Sequence, residues 1–183
     1  LSSAGKFIAA KTINTITYIN DFGIDRADNI YLSGEKDQGE IPGTSNYYLK
    51  LDKSGRTLVS KLGAGDNSSP KLLVDTSANI FMNYTSGFGK YTGDGTLIWK
   101  ANIDQHFRPA FALDKYNYLY TVAKTSSLNF KKHNSNGQIV WQRTIPQITG
   151  AIKILMTVDE QNNVIICSSY NMETRIIKYP ACQ

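Results

Sequence analysis

The chain has 183 residues, with 20 Lys and Arg against 15 Asp and Glu for a net charge of +5; 41% of residues are hydrophobic and 19% charged. That balance excludes a disordered tail, and the scattered basic residues exclude the clustered positive stripe of a nucleic-acid binder. No apolar run reaches the ~18 residues of a membrane-spanning helix, and helical periodicity is nearly absent, which excludes membrane insertion by helices.

Eleven Tyr, seven Phe and fourteen Gly against five Pro favour strands joined by tight turns. The chain opens on "LSSAGKFIAAKTI", in which Gly5 precedes Ala9 by four residues. A start at Leu1 without Met suggests a processed or trimmed chain with no signal peptide left in it. Next come "DRADNIYLSG" from Asp25 and the strand pair "YYLKLDKSGRTLVSK" over residues 47–61. The order repeats with "DTSANIFMNY" from Asp75 and "FGKYTGDGTLIWKAN" over residues 88–102, then with "DKYNYLYTVA" from Asp114 and "NFKKHNSNGQIVWQR" over residues 129–143. A fourth copy, "DEQNNVIICS" from Asp159, is followed only by "TRIIKYPACQ". The aspartates lie 50, 39 and 45 residues apart, a spacing that with β-rich runs fits propeller blades.

Each of the first three copies holds two hairpins and therefore four short strands, a to d. Gly55, Gly95 and Gly137 occupy the c–d turn position where positive φ is required, and Val59, Trp99 and Trp141 follow four residues later as fillers of the wedge between blades. The fourth copy lacks strand d, whereas Gly5 and Ala9 repeat the strand-d spacing at the other end of the chain. The amino-terminal strand is thus expected to complete the last blade beside residues 174–179 and close the ring. The predicted fold is all-β, a single β-propeller domain of four four-stranded blades, with approximate repeats 21–63, 69–103, 108–146 and 151–179 plus 1–13. A two-chain ring of eight blades is the alternative arrangement, so the expected state is monomer or homodimer.

The runs "IDRADNIYLSGE" and "VDTSANIFMNYTS", each leading into strands such as "YYLKLDKSGRTLVSKLGAGD", resemble the bacterial seven-bladed β-propeller repeats. In those, an Asp-x-x-Gly-Asn-Ile-Tyr strand alternates with a Lys-Leu-Asp-x-x-Gly strand. The turns "GDGTLIW" and "SNGQIVW" also resemble propeller repeats of the pyrroloquinoline-quinone dehydrogenases. The resemblance implies blades. With four repeats the chain departs from both families and is too short for the quinone enzymes, so their activity and cofactor are not carried over.

The recurring Asp25, Asp75, Asp114 and Asp159 read as turn residues whose carboxylates accept backbone N–H bonds rather than as metal ligands. His106 and His133 have no metal-binding spacing, and neither a Gly-x-Ser-x-Gly elbow nor a phosphate-binding loop occurs, so no metal or cofactor is expected. Cys167 and Cys182 form either one disulfide in an oxidising compartment or leave Cys167 as a buried thiol. The sequons at Asn67 and Asn83 would be usable in a eukaryotic secretory pathway. Ligand contacts are expected on the loops joining strands b and c and on the crossings between blades. The crossing with Asp104, His106, Phe107 and Arg108 combines a carboxylate, an imidazole, an aromatic ring and a guanidinium; Tyr84 and Phe88 are candidate aromatic platforms, and Glu35 and Lys124 candidate polar contacts. The leading functional expectation is an extracellular or periplasmic, non-catalytic, lectin-like module that binds glycan or protein ligands. The alternatives are a polysaccharide-acting hydrolase or lyase with its site over the central channel, and a structural scaffold for protein partners.

Overall fold

A computed structural model describes residues 10, 12–14, 16–37, 44–62, 71–84, 87–102, 110–124, 128–145, 153–170 and 172–180. The architecture is the expected one: an all-β propeller of four antiparallel blades. Blade 1 contains β1 (Tyr18–Ile24), β2 (Ile30–Asp37), β3 (Thr44–Leu51) and β4 (Thr57–Leu62). Blade 2 contains β5 (Leu72–Val74), β6 (Ile80–Tyr84), β7 (Gly87–Tyr91) and β8 (Leu97–Asn102). Blade 3 contains β9 (Ala110–Leu113), β10 (Leu119–Lys124), β11 (Leu128–His133) and β12 (Ile139–Ile145). Blade 4 shows β13 (Lys153–Val158), β14 (Val164–Tyr170) and β15 (Glu173–Tyr179) among the described residues. Within every blade the spatial order equals the chain order, so each neighbouring pair is a hairpin. Most of the segment expected to supply the closing strand, residues 1–9 and 11, lies outside the described residues; the described residues 10 and 12–14 are not in a strand. Ile13 and Ile16 pack on Leu32, Leu49 and Leu51 of blade 1.

The turn residues explain why the hairpins form where they do. In all four a–b turns one carboxylate oxygen of the leading aspartate accepts two backbone N–H bonds, from residues two and four places on: Ala27 and Asn29 to Asp25, Ser77 and Asn79 to Asp75, Tyr116 and Tyr118 to Asp114, Gln161 and Asn163 to Asp159. These bonds, at 2.8–3.1 Å, satisfy donors that no strand pairs. The residue three places after the aspartate then takes a left-handed conformation, φ 61–66°, at Asp28, Ala78, Asn117 and Asn162.

In the c–d turns Asp52 and Asn134 accept the same two N–H bonds and Thr92 Oγ1 accepts the one from Thr96, and the left-handed residue is Gly55, Gly95 or Gly137, φ 80–82°. A register shift follows at Lys50/Leu51, Lys90/Tyr91 and Lys132/His133, the mark of a three-residue loop with a glycine bulge. Gly137 is required twice over, because a Cβ there would also stand 2.8 Å from Cδ2 of Trp99.

Apart from that cluster of Ile13 and Ile16 on blade 1, the core lies between blades. Tyr31, Tyr48, Leu72, Ile80, Met82 and Tyr91 join blades 1 and 2, with Val59 against them. Phe81, Phe88, Phe111 and Leu119 join blades 2 and 3, and Trp99 meets Phe81 and Phe88 edge-on at 5.9 and 5.8 Å. Tyr120, Val122, Leu128, Phe130, Val164 and Ile166 join blades 3 and 4, with Trp141 edge-on to Phe130 at 5.0 Å. Burying each such side chain contributes about 1.5–3 kcal/mol. Aromatic polar atoms also lock consecutive blades: the Tyr48 hydroxyl donates to the Gly93 carbonyl at 2.8 Å, and Trp99 Nε1 donates to the equivalent carbonyl of Ser135 at 2.9 Å. Val59, Trp99 and Trp141 are therefore wedge fillers, as their spacing implies.

Candidate functional site

Antiparallel pairing places the a–b and c–d turns at one end of the blades and the b–c loops and blade crossings at the other. The turn end carries the shifted carboxylates. At Asp25 burial opposes ionisation, but hydrogen bonds from Asn29 and Tyr31 prevail and lower its pKa to about 2. The Lys178 ammonium and Asn163 lower Asp159 to about 2. These shifts arise from turn construction, so they do not identify a reactive group.

At the opposite end, the first two blades build a continuous polar network. Asn20 Nδ2 donates to Glu35 Oε1 at 3.2 Å, holding the carboxylate of β2 against β1. Asp21 sits at the β1 irregularity, and its Oδ2 accepts the Leu72 backbone N–H at 3.0 Å, which ties blade 1 to blade 2. Lys71 Nζ donates to the Asn20 carbonyl at 3.5 Å, while the Lys71 backbone N–H donates to Asn83 Oδ1 at 2.5 Å. Asn83 is 2% exposed, and its Nδ2 has no hydrogen-bond partner. A buried amide donor left unmatched costs about 1–3 kcal/mol, so this position has an unmet demand for an acceptor oxygen. The arrangement joins an anionic group, a cation and a neutral donor along one inner rim. Such a set can orient an oxygen-rich ligand, remove a proton from water and stabilise developing negative charge.

Among the sequence-derived candidates, Glu35 lies in this network. Asp104, His106, Phe107 and Arg108 fall outside the described residues. Tyr84 ends β6 and Lys124 ends β10, but their side chains also lie outside what is described. Phe88 is buried between Phe81, Trp99 and His133 rather than presented as a platform, because β7 is covered on both sides. Asn83, which heads one of the two sequons, is buried in the folded chain; Asn67 lies outside the described residues. Cys167 is a half-buried free thiol, and Cys182 is likewise outside.

Sequence reasoning missed Asn20, Asp21, Lys71 and Asn83 as a group. Their signal was departure from the repeat: four residues before the turn aspartates stand Asp21 and Lys71, but Ala110 and Leu155 in blades 3 and 4. Eight residues after them stand Ser33 and Asn83, but Val122 and Cys167. Polar residues gather on one side of an otherwise repeating structure.

No protein-family model matches the chain, and no curated protein matches it. Solved structures share its fold. A Bacteroides caccae protein of unknown function superposes with a TM-score of 0.61 at 11% identity, covering 89% of this chain and 64% of the other. A Xanthomonas campestris gluconolactonase gives 0.59 at 17% identity, covering 88% and 58%. A calcium-binding regucalcin from Agrobacterium tumefaciens gives 0.52 at 10%, covering 85% and 55%. The chain spans about 55–64% of the length of these propellers. The coarse resemblance to propeller repeats holds, with these neighbours in place of the specific repeat families. The expectation of a non-catalytic, lectin-like module is overturned by the proteins that share this fold, which include a gluconolactonase and a calcium-binding regucalcin. Blade motifs were silent on this because they encode turns and wedges, not chemistry. Calcium binding is stated for the Agrobacterium protein, but the described residues of this chain include no group of three or more His, Cys, Asp or Glu side chains able to hold a metal ion.

Proposed function

We propose that the protein is a hydrolase acting on a carbohydrate-derived substrate, with its site over the central channel at the inner rim of blades 1 and 2. The observation that carries this reading is the unpartnered, buried Asn83 Nδ2 within a charged network that spans two blades. Asn83 donates to a substrate oxygen, Lys71 stabilises the oxyanion formed when water attacks a carbonyl carbon, and Glu35, oriented by Asn20, accepts the water proton. The collapse of that intermediate expels the alkoxide, which takes up the proton. The fold it shares with a gluconolactonase supports an ester-like bond in a sugar derivative over a glycosidic bond.

The test follows acid release from a panel of sugar lactones, beside a panel of chromogenic glycosides. Turnover of a lactone is expected, falling about 10²–10⁴-fold in kcat for Glu35→Gln. The Asn83→Ala variant should raise KM or lower kcat without loss of folding. No turnover on either panel, or full activity in Glu35→Gln, overturns the proposal.

A further inference from the structure

The a–b ladders of blades 2, 3 and 4 pair residue for residue, without a shift in register. Blade 1 departs from them. Ile19 pairs with Gly34 and Asp21 with Ser33, so Asn20 is one extra residue in β1 with no partner opposite. Around it the ordinary alternation holds: Tyr18 and Asp21 pair with Glu35 and Ser33 on one face of the blade, Ile19 and Phe22 with Gly34 and Leu32 on the other. Asn20 directs two polar groups outside the ladder. Its Nδ2 donates to Glu35 Oε1 at 3.2 Å, and its carbonyl accepts Lys71 Nζ of blade 2 at 3.5 Å. Gly34 lets the chain before the bulge lie close: an ideal Cβ there would stand 2.2 Å from the Tyr18 carbonyl oxygen and 2.6 Å from Ile16 Cγ2. The Thr17 N–H fastens the same stretch to the Glu35 carbonyl at 2.8 Å.

We propose that the bulge at Asn20 is the positioning device of this site: one inserted residue holds Glu35 by its side chain and Lys71 by its carbonyl, and so fixes the separation of two charged groups that belong to different blades. The roles of those groups, Glu35 as base and Lys71 at the oxyanion, rest on the hydrolase reading above. Asn20 acts through both and touches no reacting atom. Bulges re-aim side chains in this way because the extra residue kinks the strand and frees its polar groups from the ladder. Gly34 is the second positioning residue, since a side chain there would push β1 away from β2 next to the point where Asn20 leaves the ladder. A regular ladder in blade 1 would leave neither contact in place, and a displacement of about 1 Å can cost about 10²-fold in rate.

Two variants of the whole chain test this. Deletion of Asn20 joins Ile19 to Asp21 in unbroken alternation, the arrangement of the other three blades, so a folded chain is expected. With sugar lactones its kcat should fall about 10²-fold at nearly unchanged KM. Asn20→Ala keeps the bulge and its carbonyl, and should lose about tenfold; it carries the test by itself if the deletion does not fold. Neither loss should add to that of Glu35→Gln, whereas a merely structural defect would add. Carbon-13 NMR of the 20.4 kDa chain reads the contacts without turnover. Asn20→Ala should move the Glu35 carboxyl signal and spare the Lys71 side chain, and the deletion should move both. Variants with wild-type kcat, or losses that add to Glu35→Gln, overturn the positioning role and leave the hydrolase reading standing. A wild type without turnover overturns the hydrolase reading, and the NMR signals then decide the coupling: Glu35 and Lys71 signals that the variants leave unmoved overturn it.

Discussion

Blades 1 and 3 anchor their turn aspartates differently from blades 2 and 4. In blades 1 and 3 the second carboxylate oxygen accepts a tyrosine hydroxyl from six residues on, Tyr31 to Asp25 at 2.8 Å and Tyr120 to Asp114 at 3.2 Å. Blades 2 and 4 carry Phe81 and Ile165 there, without a hydroxyl. A lysine on the neighbouring strand replaces it: Lys90, in register with Phe81, reaches Asp75 at 3.3 Å, and Lys178, in register with Ile165, reaches Asp159 at 2.8 Å. Blades 1 and 3 keep the lysine too, but Lys50 and Lys132 lie over the tyrosine rings at 4.9 and 5.4 Å. What the blades share is thus a demand, a donor from strand b or c for the second aspartate oxygen, which in blades 1, 2 and 4 also accepts the side-chain amide of Asn29, Asn79 or Asn163, and the residue that meets it is exchangeable.

The comparison predicts graded costs. Lys90→Met removes the cation from a buried pair and should destabilise by about 3–5 kcal/mol. Tyr120→Phe removes a neutral donor and should cost about 1–2 kcal/mol. Lys178→Met breaks an exposed pair and should cost less than about 1 kcal/mol. Urea unfolding midpoints rank the three. The exchange itself is tested by adding Phe81→Tyr to Lys90→Met, which installs the blade 1 solution in blade 2; recovery of at least half the loss is expected, and no recovery shows that the two anchors are not equivalent.

The residue before each c–d turn offers a second contrast. Leu51 and Tyr91 are buried there in blades 1 and 2, and His133 in blade 3, where Nε2 meets Thr121 Oγ1 at 3.1 Å. Burial depresses the His133 pKa below its ordinary 6.5. The unfolded chain therefore binds the proton first, so the stability contributed by neutral His133 is present above pH 6.5 and lost as pH falls below it. The urea midpoint should drop from pH 7.5 to 5.5, and His133→Gln should flatten that drop.

The smallest effect concerns the a–b turns, where blade 2 places Ala78 at φ 61° and the other blades place Asp or Asn. Asp and Asn tolerate this conformation better than alanine does. Ala78→Gly should stabilise by about 0.5–1 kcal/mol, read as a rise in Tm.

Much of the fold was legible in the chain because each turn is specified locally. An Asp followed by Asn or Tyr at the fourth place, or a Gly three places after Asp, Thr or Asn, encodes its own hairpin, and the Trp four residues further on encodes the wedge. Of the proposed site, only Glu35 was singled out from the sequence. Phe88 looked available because its loop neighbours are polar, yet its strand lies between two packed faces.

The sequence by itself determined the four-blade repeat, the hairpin ends and the wedge aromatics, since these depend on residues within a few places of one another. Only the tertiary structure decided that Asn20, Asp21, Lys71 and Asn83 meet across two blades and that Lys90 answers Asp75. Those outcomes depend on the register between strands and the stacking of blades, where residues fifteen to fifty places apart compete for the same space and the same hydrogen bonds.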